Sequence, residues 1–340
     1  MLVTGHTGFK GSWLSIWLNL LGANVCGIGL APTTKYSNYE VSSCARNMKS
    51  IIGDIRDEKF VKKSFENFQP DILFHLAAQP LVGASYINPK DTFETNIMGL
   101  INVLESAKLC ASLRVLVNVT SDKCYESKDS FSGHRESDPL GGRDPYSASK
   151  ACSELVSASY QHSFFAAQVK ALATVRAGNV IGGGDWTKGR LIPDVIESIE
   201  ENKSLVLRFP DAVRPWQHVL EPLSGYLILA EKLWNQPKEY VGAWNFGPSM
   251  ADAQTVQSVA LALLDKLSGT RPILIEGAKK FHETRLLKLD ISKAQKNLNW
   301  QPKLSLMQTL DSIVWWQDKF LRGKNMLEVC QAQIEEYSNG

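Results

Sequence analysis

Thr4-Gly5-His6-Thr7-Gly8-Phe9-Lys10-Gly11 decides the fold. Three glycines at a spacing of three close the short β-type run Met1–Thr4 and open an apolar helical stretch. Gly5 permits a tight turn, Gly8 lets the backbone approach a pyrophosphate, and Gly11 lets helix and strand pack closely. The N-terminus of the following helix attracts the anion. A glycine pattern alone is as often a plain turn. Its place at the first strand–helix junction is what points to a dinucleotide site. The helix that follows, predicted over 12–21, reads as buried, with Trp13, Trp17 and Leu21 on one face and Leu14 and Leu18 beside them.

Working outward, the first half alternates β-type runs with helical patterns, which predicts a parallel sheet covered on both faces. Strands are expected at Met1–Thr4, Val25–Leu30, Asp71–Ala77, Arg114–Thr120 and Val169–Val175, with helices near 57–67, 90–112 and 146–165. The second half is more irregular, with Pro and Gly clusters at 182–193, 208–222 and 245–250, then helices at about 251–267 and 305–320. The expected fold class is α/β: a Rossmann-like, doubly wound parallel sheet with a smaller α/β substrate-binding domain. Residues 1–178, with returning segments near 215–250, should form the dinucleotide-binding domain. Residues 179–325 should form the second, interleaved domain.

A chain of 340 residues buries a sizeable core without disulfides or metals, and no metal site is expected. Its 37 basic and 35 acidic residues leave a net charge of +2, which gives no reason to expect a nucleic-acid or membrane partner. The six cysteines form no C-x-x-C pair and read as reduced thiols of a cytoplasmic protein. The opening residues are too polar and Gly-rich for a signal peptide, and the run Trp13–Leu21, broken by Ser15 and Asn19, falls short of a membrane span.

A dinucleotide site usually carries an acid at the end of the second strand to hold the ribose. Here that strand ends Ile28-Gly29-Leu30-Ala31-Pro32, which leaves NAD against NADP open. Asp54, in Gly53-Asp54-Ile55-Arg56-Asp57, could accept from the adenine amino group, or be a solvated loop acid.

Tyr146-Ser147-Ala148-Ser149-Lys150 has the Y-x-x-x-K spacing, which puts phenol and ammonium on one helix face. A Lys⁺ and a positive nicotinamide both favour the phenolate, bringing a group of pKa about 10 toward use as a base. Thr120-Ser121-Asp122-Lys123 follows the strand at Arg114–Thr120, at the sheet edge where ligands bind. A hydroxyl here can hold the sugar hydroxyl that Tyr146 deprotonates. Asp122 and Lys123 add an acid and a base. A plain oxidoreductase has no use for that extra pair, whereas a reaction that removes water does. Without Tyr146 and Lys150, the pair would read as a surface turn.

These motifs place the chain by resemblance. The G-x-x-G-x-x-G form resembles the short-chain dehydrogenases. Together with His75-Leu76-Ala77-Ala78-Gln79-Pro80, Thr120–Tyr125, Arg176–Trp186 and Arg214–Pro222, it resembles the extended, NAD-dependent epimerase/dehydratase branch, and there the nucleotide-sugar 4,6-dehydratases. Asp122-Lys123, where the dTDP-glucose enzymes are expected to carry Asp-Glu, favours CDP-glucose as substrate. The resemblance implies tightly bound NAD regenerated each turnover, and a role in deoxysugar biosynthesis. It implies a catalytic set of Ser121, Asp122, Lys123, Tyr146 and Lys150. It assigns the cofactor to Gly5, Thr7, Gly8, Phe9, Lys10, Gly11, Asp54, Ile55, Leu76, Ala77, Ala78, Gln79, Asn96 and Thr120, with Tyr146 and Lys150. Asn179, Arg190 and Arg214 would hold the nucleotide diphosphate, and Asn245, with Gln79 and Asn96, would order loops around the site. The helices at 90–112 and 146–165 would form a homodimer, or a dimer of dimers. An epimerase or reductase of the same fold would not need Asp122 and Lys123. A non-catalytic binding protein would be free to lose Tyr146 or Lys150.

Overall fold

The structure, a computed structural model, describes residues 1–126, 133–249, 252–267, 269–276 and 287–340. In chain order its strands are β1 (Leu2–Thr4), β2 (Cys26–Gly29), β3 (Lys49–Ile52), β4 (Ile72–His75), β5 (Val115–Val119), β6 (Ala171–Ala177), β7 (Val180–Ile181), β8 (Leu205–Leu207), β9 (Val213–Pro215), β10 (Gln217–His218), β11 (Gly242–Phe246), β12 (Ala253–Thr255) and β13 (Ile273–Ile275). Seven of them build one parallel sheet in the order β11-β6-β5-β4-β1-β2-β3. The chain runs outward from β1 in one direction and restarts at β4 in the other. That reversal opens a crevice at the carboxyl ends of β1 and β4, where open α/β sheets bind ligands.

Strand residues alternate between two cores, which is why the strands read as continuous apolar runs. Val3, Val115, Val117 and Val119 face the helices Phe9–Leu20 and Leu220–Asn235. Leu2 and Leu116 face Glu58–Phe68 and Leu100–Leu109. Three two-stranded sheets, β7 with β10, β8 with β13 and β9 with β12, accompany a third core. There Val195, Val259, Leu263, Leu310 and Ile313 pack together from three helices.

The expected elements are present with shifted ends, and two strands of the seven-stranded sheet went unread. β3 is the short, partly polar Lys49-Ser50-Ile51-Ile52, and β11 completes the sheet from the irregular half of the chain. The strand expected from Val169 starts at Ala171, because Val169 is left-handed at φ +56°. The first helix buries Trp13, Leu14, Trp17 and Leu18, but Leu21 is 63% exposed just beyond its end. The helix expected from 251 begins at Val256. Residues 253–255 form β12, and position 251 lies outside the described residues. No described helix is long and apolar enough to cross a membrane. All six cysteines are free thiols.

Candidate active site

The glycine turn sits in the crevice and can take no other residue. Gly5 has φ +74°, and a Cβ there would lie 2.7 Å from the Ala77 nitrogen. A Cβ on Gly11 would lie 2.0 Å from the Gly5 carbonyl oxygen. The Gly8 N–H donates to that carbonyl at 3.0 Å, and the Thr7 hydroxyl donates to the Leu30 carbonyl at 2.7 Å. The helix Phe9–Leu20 starts with Gly8 at its N-cap, so no side chain caps it and no acid stands in its first turn. Uncapped N–H groups and a positive helix end suit a diphosphate. Asp54 and Ile55 line the same cavity toward the end of β3, which fits an adenine end. Asp54 is paired with Arg56 at 2.6 Å, and its carboxyl is held below the usual range chiefly by that hydrogen bond. These residues fit a dinucleotide.

The cavity has a volume of about 730 Å³. It runs from this turn past Leu76, Ala77, Ala78 and Thr120 to Ser121, Asp122, Lys123 and Tyr146. Its far wall carries Asn179, Arg190 and Arg214. The Ser121–Lys123 turn exists because β5 ends at Val119 and the Ser121 hydroxyl caps the following short helix, accepting from the Lys123 N–H at 3.2 Å. Thr120 cannot serve a substrate hydroxyl: its own hydroxyl donates to Glu154. That leaves Ser121, which is hydrogen-bonded to the Tyr146 phenol.

Asp122 is buried, and burial raises its carboxyl above the usual range. One oxygen accepts from Ser121 at 3.1 Å, and the other has no partner among the described residues. That second oxygen lies against Gly178, where a Cβ would come within 1.8 Å of it. Gly178→Ala should therefore swing the acid out of place. It is expected to cost on the order of 10² or more in turnover, the size of a lost general acid, while the melting temperature moves modestly. Steady-state kinetics beside calorimetry check this, and wild-type turnover would show that Asp122 has no fixed position to lose.

Tyr146 and Lys150 share a face of the helix Pro145–Tyr160, which Asp144 caps at the Ser147 N–H, 2.9 Å away. Burial pushes the phenol up to about 12, against the easing effect of Ser121 and Arg190. The Lys150 amine does not line the cavity. It donates to the Val119 carbonyl at 3.2 Å, and burial brings it down to about 8 against the opposing charge of Glu154. So the first hydrogen-bond partner of the phenol is Ser121.

Arg190 lines the cavity and also pairs with Asp185 at 2.9 Å. Asn179 sits at φ +41°, a left-handed position that Asn tolerates. Besides Lys150, three expected residues do not line the cavity. Asn245 is fully buried in β11, with its side-chain amide donating to the His134 and Asp290 carbonyls and its oxygen accepting from Tyr125. The Asn96 side-chain amide brackets the Gln79 backbone, its oxygen accepting from the Gln79 N–H at 2.8 Å and its nitrogen donating to the Gln79 carbonyl at 3.1 Å. They order the loop without lining it.

Sequence reading missed Glu154. It accepts both arms of Arg176 at 2.9 and 2.8 Å, the Thr174 hydroxyl at 2.6 Å, and Thr120. Arg176 in turn donates to the Tyr125 hydroxyl at 2.7 Å, which ties the strand ends to the catalytic helix. Its position four residues after Lys150, on the same face, was the available signal.

A Tyr–Lys helix face and a Ser-Asp-Lys turn meeting a glycine cradle at the switch point define a short-chain-dehydrogenase-type enzyme. The chain belongs to the GDP-mannose 4,6 dehydratase family, which matches residues 2–313. It is 46% identical to the CDP-glucose 4,6-dehydratase of Salmonella typhimurium, over 99% of this chain and 95% of that one. The dTDP-D-glucose 4,6-dehydratase of Homo sapiens is 26% identical, over 96% of this chain and 92% of that one. Among solved structures, the UDP-glucose 4-epimerase of Thermotoga maritima superposes with a TM-score of 0.82 at 22% identity, covering 94% of this chain and 99% of that one. The dTDP-glucose 4,6-dehydratase of Streptomyces venezuelae, solved with NAD, gives 0.81 at 24%, covering 96% and 99%. Both likenesses establish the fold.

Proposed function

We infer that this enzyme converts CDP-D-glucose to CDP-4-dehydro-6-deoxy-D-glucose and water. The observation that carries the inference is the Ser121-Asp122-Lys123 turn facing Tyr146 across one cavity, in a chain 46% identical to a CDP-glucose 4,6-dehydratase. An epimerase would have no task for the Asp122–Lys123 pair. Incubation with CDP-, dTDP- and GDP-glucose, followed by mass analysis, tests it. A product lighter by one water should form fastest from CDP-glucose, and faster turnover of dTDP-glucose would overturn the assignment.

In this reading residues 1–178, returning near 215–250, hold the dinucleotide, and 179–325 hold the sugar nucleotide. NAD would supply a hydride acceptor for C4 and a hydride donor for C6, and would remain bound between turnovers. Gly5, Gly8 and Gly11 cradle its diphosphate, with Asp54 at the adenine end. Arg190 and Arg214 meet the sugar nucleotide's phosphates with planar forks suited to paired oxygens. Tyr146, oriented by Ser121, accepts the 4-hydroxyl proton. Ketone formation at C4 acidifies C5. Lys123 then removes the C5 proton while Asp122, whose carboxyl burial raises above the usual range, donates to the leaving 6-hydroxyl.

The working form is a homodimer, or a dimer of dimers, built on the segments 90–112 and 146–165. Met98, Leu109, Leu155 and Phe164, on these segments, are 52%, 67%, 60% and 40% exposed. Apolar side chains of this size gathered on two helices favour a protein partner. Leu155→Glu should move the protein from dimer to monomer mass in light scattering. An unchanged dimer would exclude this face.

A further inference from the structure

Tyr226 lies in the helix Leu220–Asn235, fully buried, and does not line the cavity. Its ring packs edge-on against Phe246, with centroids 5.6 Å apart. Its hydroxyl has no hydrogen-bond partner among the described residues. Gln217, in β10, is also buried behind the cavity wall. Its amide nitrogen donates to the Gly178 and Phe246 carbonyls, both at 3.1 Å. Two carbonyl acceptors settle which end of the amide is nitrogen, and the amide oxygen is left without a partner among the described residues. The second Asp122 oxygen is another such atom.

Contacts join these three groups into one neighbourhood. Gly178, whose carbonyl Gln217 holds, is the residue against which the Asp122 oxygen lies. Phe246, whose carbonyl Gln217 also holds, carries the ring that meets Tyr226. After burial, the charge of Asp122 is what raises the Tyr226 phenol, well above its usual range, so it remains a hydroxyl. A carboxyl oxygen, an amide oxygen and a phenol hydroxyl thus stand together behind the catalytic turn, and no bond joins them directly. Leaving each of them buried and unpaired is costly.

We propose that one water molecule sits between Asp122, Gln217 and Tyr226, and that Tyr226 acts through it as a positioning residue for the catalytic acid. Such a water accepts from the phenol and donates to the Gln217 and Asp122 oxygens. It satisfies all three with the three or so hydrogen bonds usual for a buried water. On giving its proton to the leaving hydroxyl, Asp122 becomes a carboxylate, and a donor at its second oxygen steadies that charge. Ser121 holds the first oxygen at 3.1 Å, so the water fixes the other and with it the tilt of the group. Lys123, Arg214 and Lys10 also act on Asp122, each favouring its charged form, and Asp122 in turn acts on Tyr146. The positioning role rests on Asp122 being the acid of the dehydration. The water site does not.

The test follows NADH absorbance in single turnovers of CDP-glucose by Tyr226→Phe, which keeps the ring and its packing. Absorbance should rise as in the parent, because oxidation does not call on Asp122. It should then decay on the order of tenfold more slowly, the worth of one hydrogen bond to a charged group. The alkaline limb of that decay should move to higher pH, since losing a donor to the carboxylate disfavours the charged form. A merely structural hydroxyl would leave the limb in place. Parent-like decay with an unmoved limb, or equal slowing of both phases, overturns the positioning role. A crystal structure of the parent should show one ordered water within hydrogen-bond distance of all three atoms. A direct Asp122–Tyr226 bond, or no water density there, overturns the water site. Asp122→Asn separates these failures from failure of the acid assignment. If that variant decays as fast as the parent, Asp122 is not the acid, the positioning role falls with it, and the crystal structure alone decides the water. Should the parent leave CDP-glucose untouched, the substrate assignment fails, and the dTDP- or GDP-sugar it does turn over replaces it in the same test.

Discussion

Tyr146→Phe should lower turnover of CDP-glucose by about 10² to 10⁴, the usual worth of a general base, while the protein stays folded. The ring is buried and the substitution leaves its packing in place. What disappears is the phenol oxygen, on which Ser121 acts, in a residue that lines the same cavity as Asp122. Burial holds this phenol up at about 12 in the free protein, so its conversion to a base depends on the cations that converge as the site fills. Rate against pH should therefore rise toward alkaline pH in the parent as the phenol ionises, and the residual rate of Tyr146→Phe should lose that rise. Near-normal turnover by a folded variant would place the base elsewhere. Nucleotide affinity, measured by titration with CDP, should be nearly unchanged, because the phenol serves the sugar and not the phosphates.

The parts of this site legible in the sequence are those set by contiguous spacing at strand ends. Gly5, Gly8 and Gly11 forced a strand–turn–helix, and that turn fell at the sheet's switch point. Tyr146 and Lys150 shared a helix face as their spacing required. Contacts made through space were not legible. Nothing local says that the Thr120 hydroxyl is spent on Glu154, or that the Lys150 amine turns to the Val119 carbonyl. Asn245 misled for the same reason: in a stretch read as irregular it was expected to order a loop at the site, yet it lies in β11 and bridges segments distant in sequence inside the protein. β3 and β11 escaped because three- to five-residue strands with polar members carry little periodicity. Glu154 and Arg176 are both buried. Breaking such a pair typically costs about 3–5 kcal/mol, so this hidden network is also what holds the legible residues in register.

The second large effect belongs to Lys123, the residue that separates elimination from simple oxidation. Oxidation at C4 needs Tyr146 and a filled dinucleotide site, and neither depends on Lys123. Elimination needs a group to take the C5 proton after the ketone has formed. Asp122, the adjacent side chain, has its carboxyl raised above the usual range by burial, which suits the opposite task, donation to the leaving hydroxyl. Two neighbouring groups with opposite assignments recur where acid and base chemistry share one site. Lys123→Met keeps the chain length and the apolar stem but removes the amine. The variant should still build absorbance at the NADH band when given CDP-glucose, then stall with a 4-keto sugar whose C5 proton no longer exchanges with solvent deuterium. Overall turnover should fall by on the order of 10² to 10⁴, as for the loss of a positioned base. Because oxidation survives, the deficit belongs to the second half of the reaction, a separation that a folding defect would not produce. If Lys123→Met instead exchanges the C5 proton and loses water as fast as the parent, Lys123 only positions the substrate by its charge. The base is then Asp122 itself or a water beside it, and Asp122→Asn would have to abolish the exchange that Lys123→Met leaves intact.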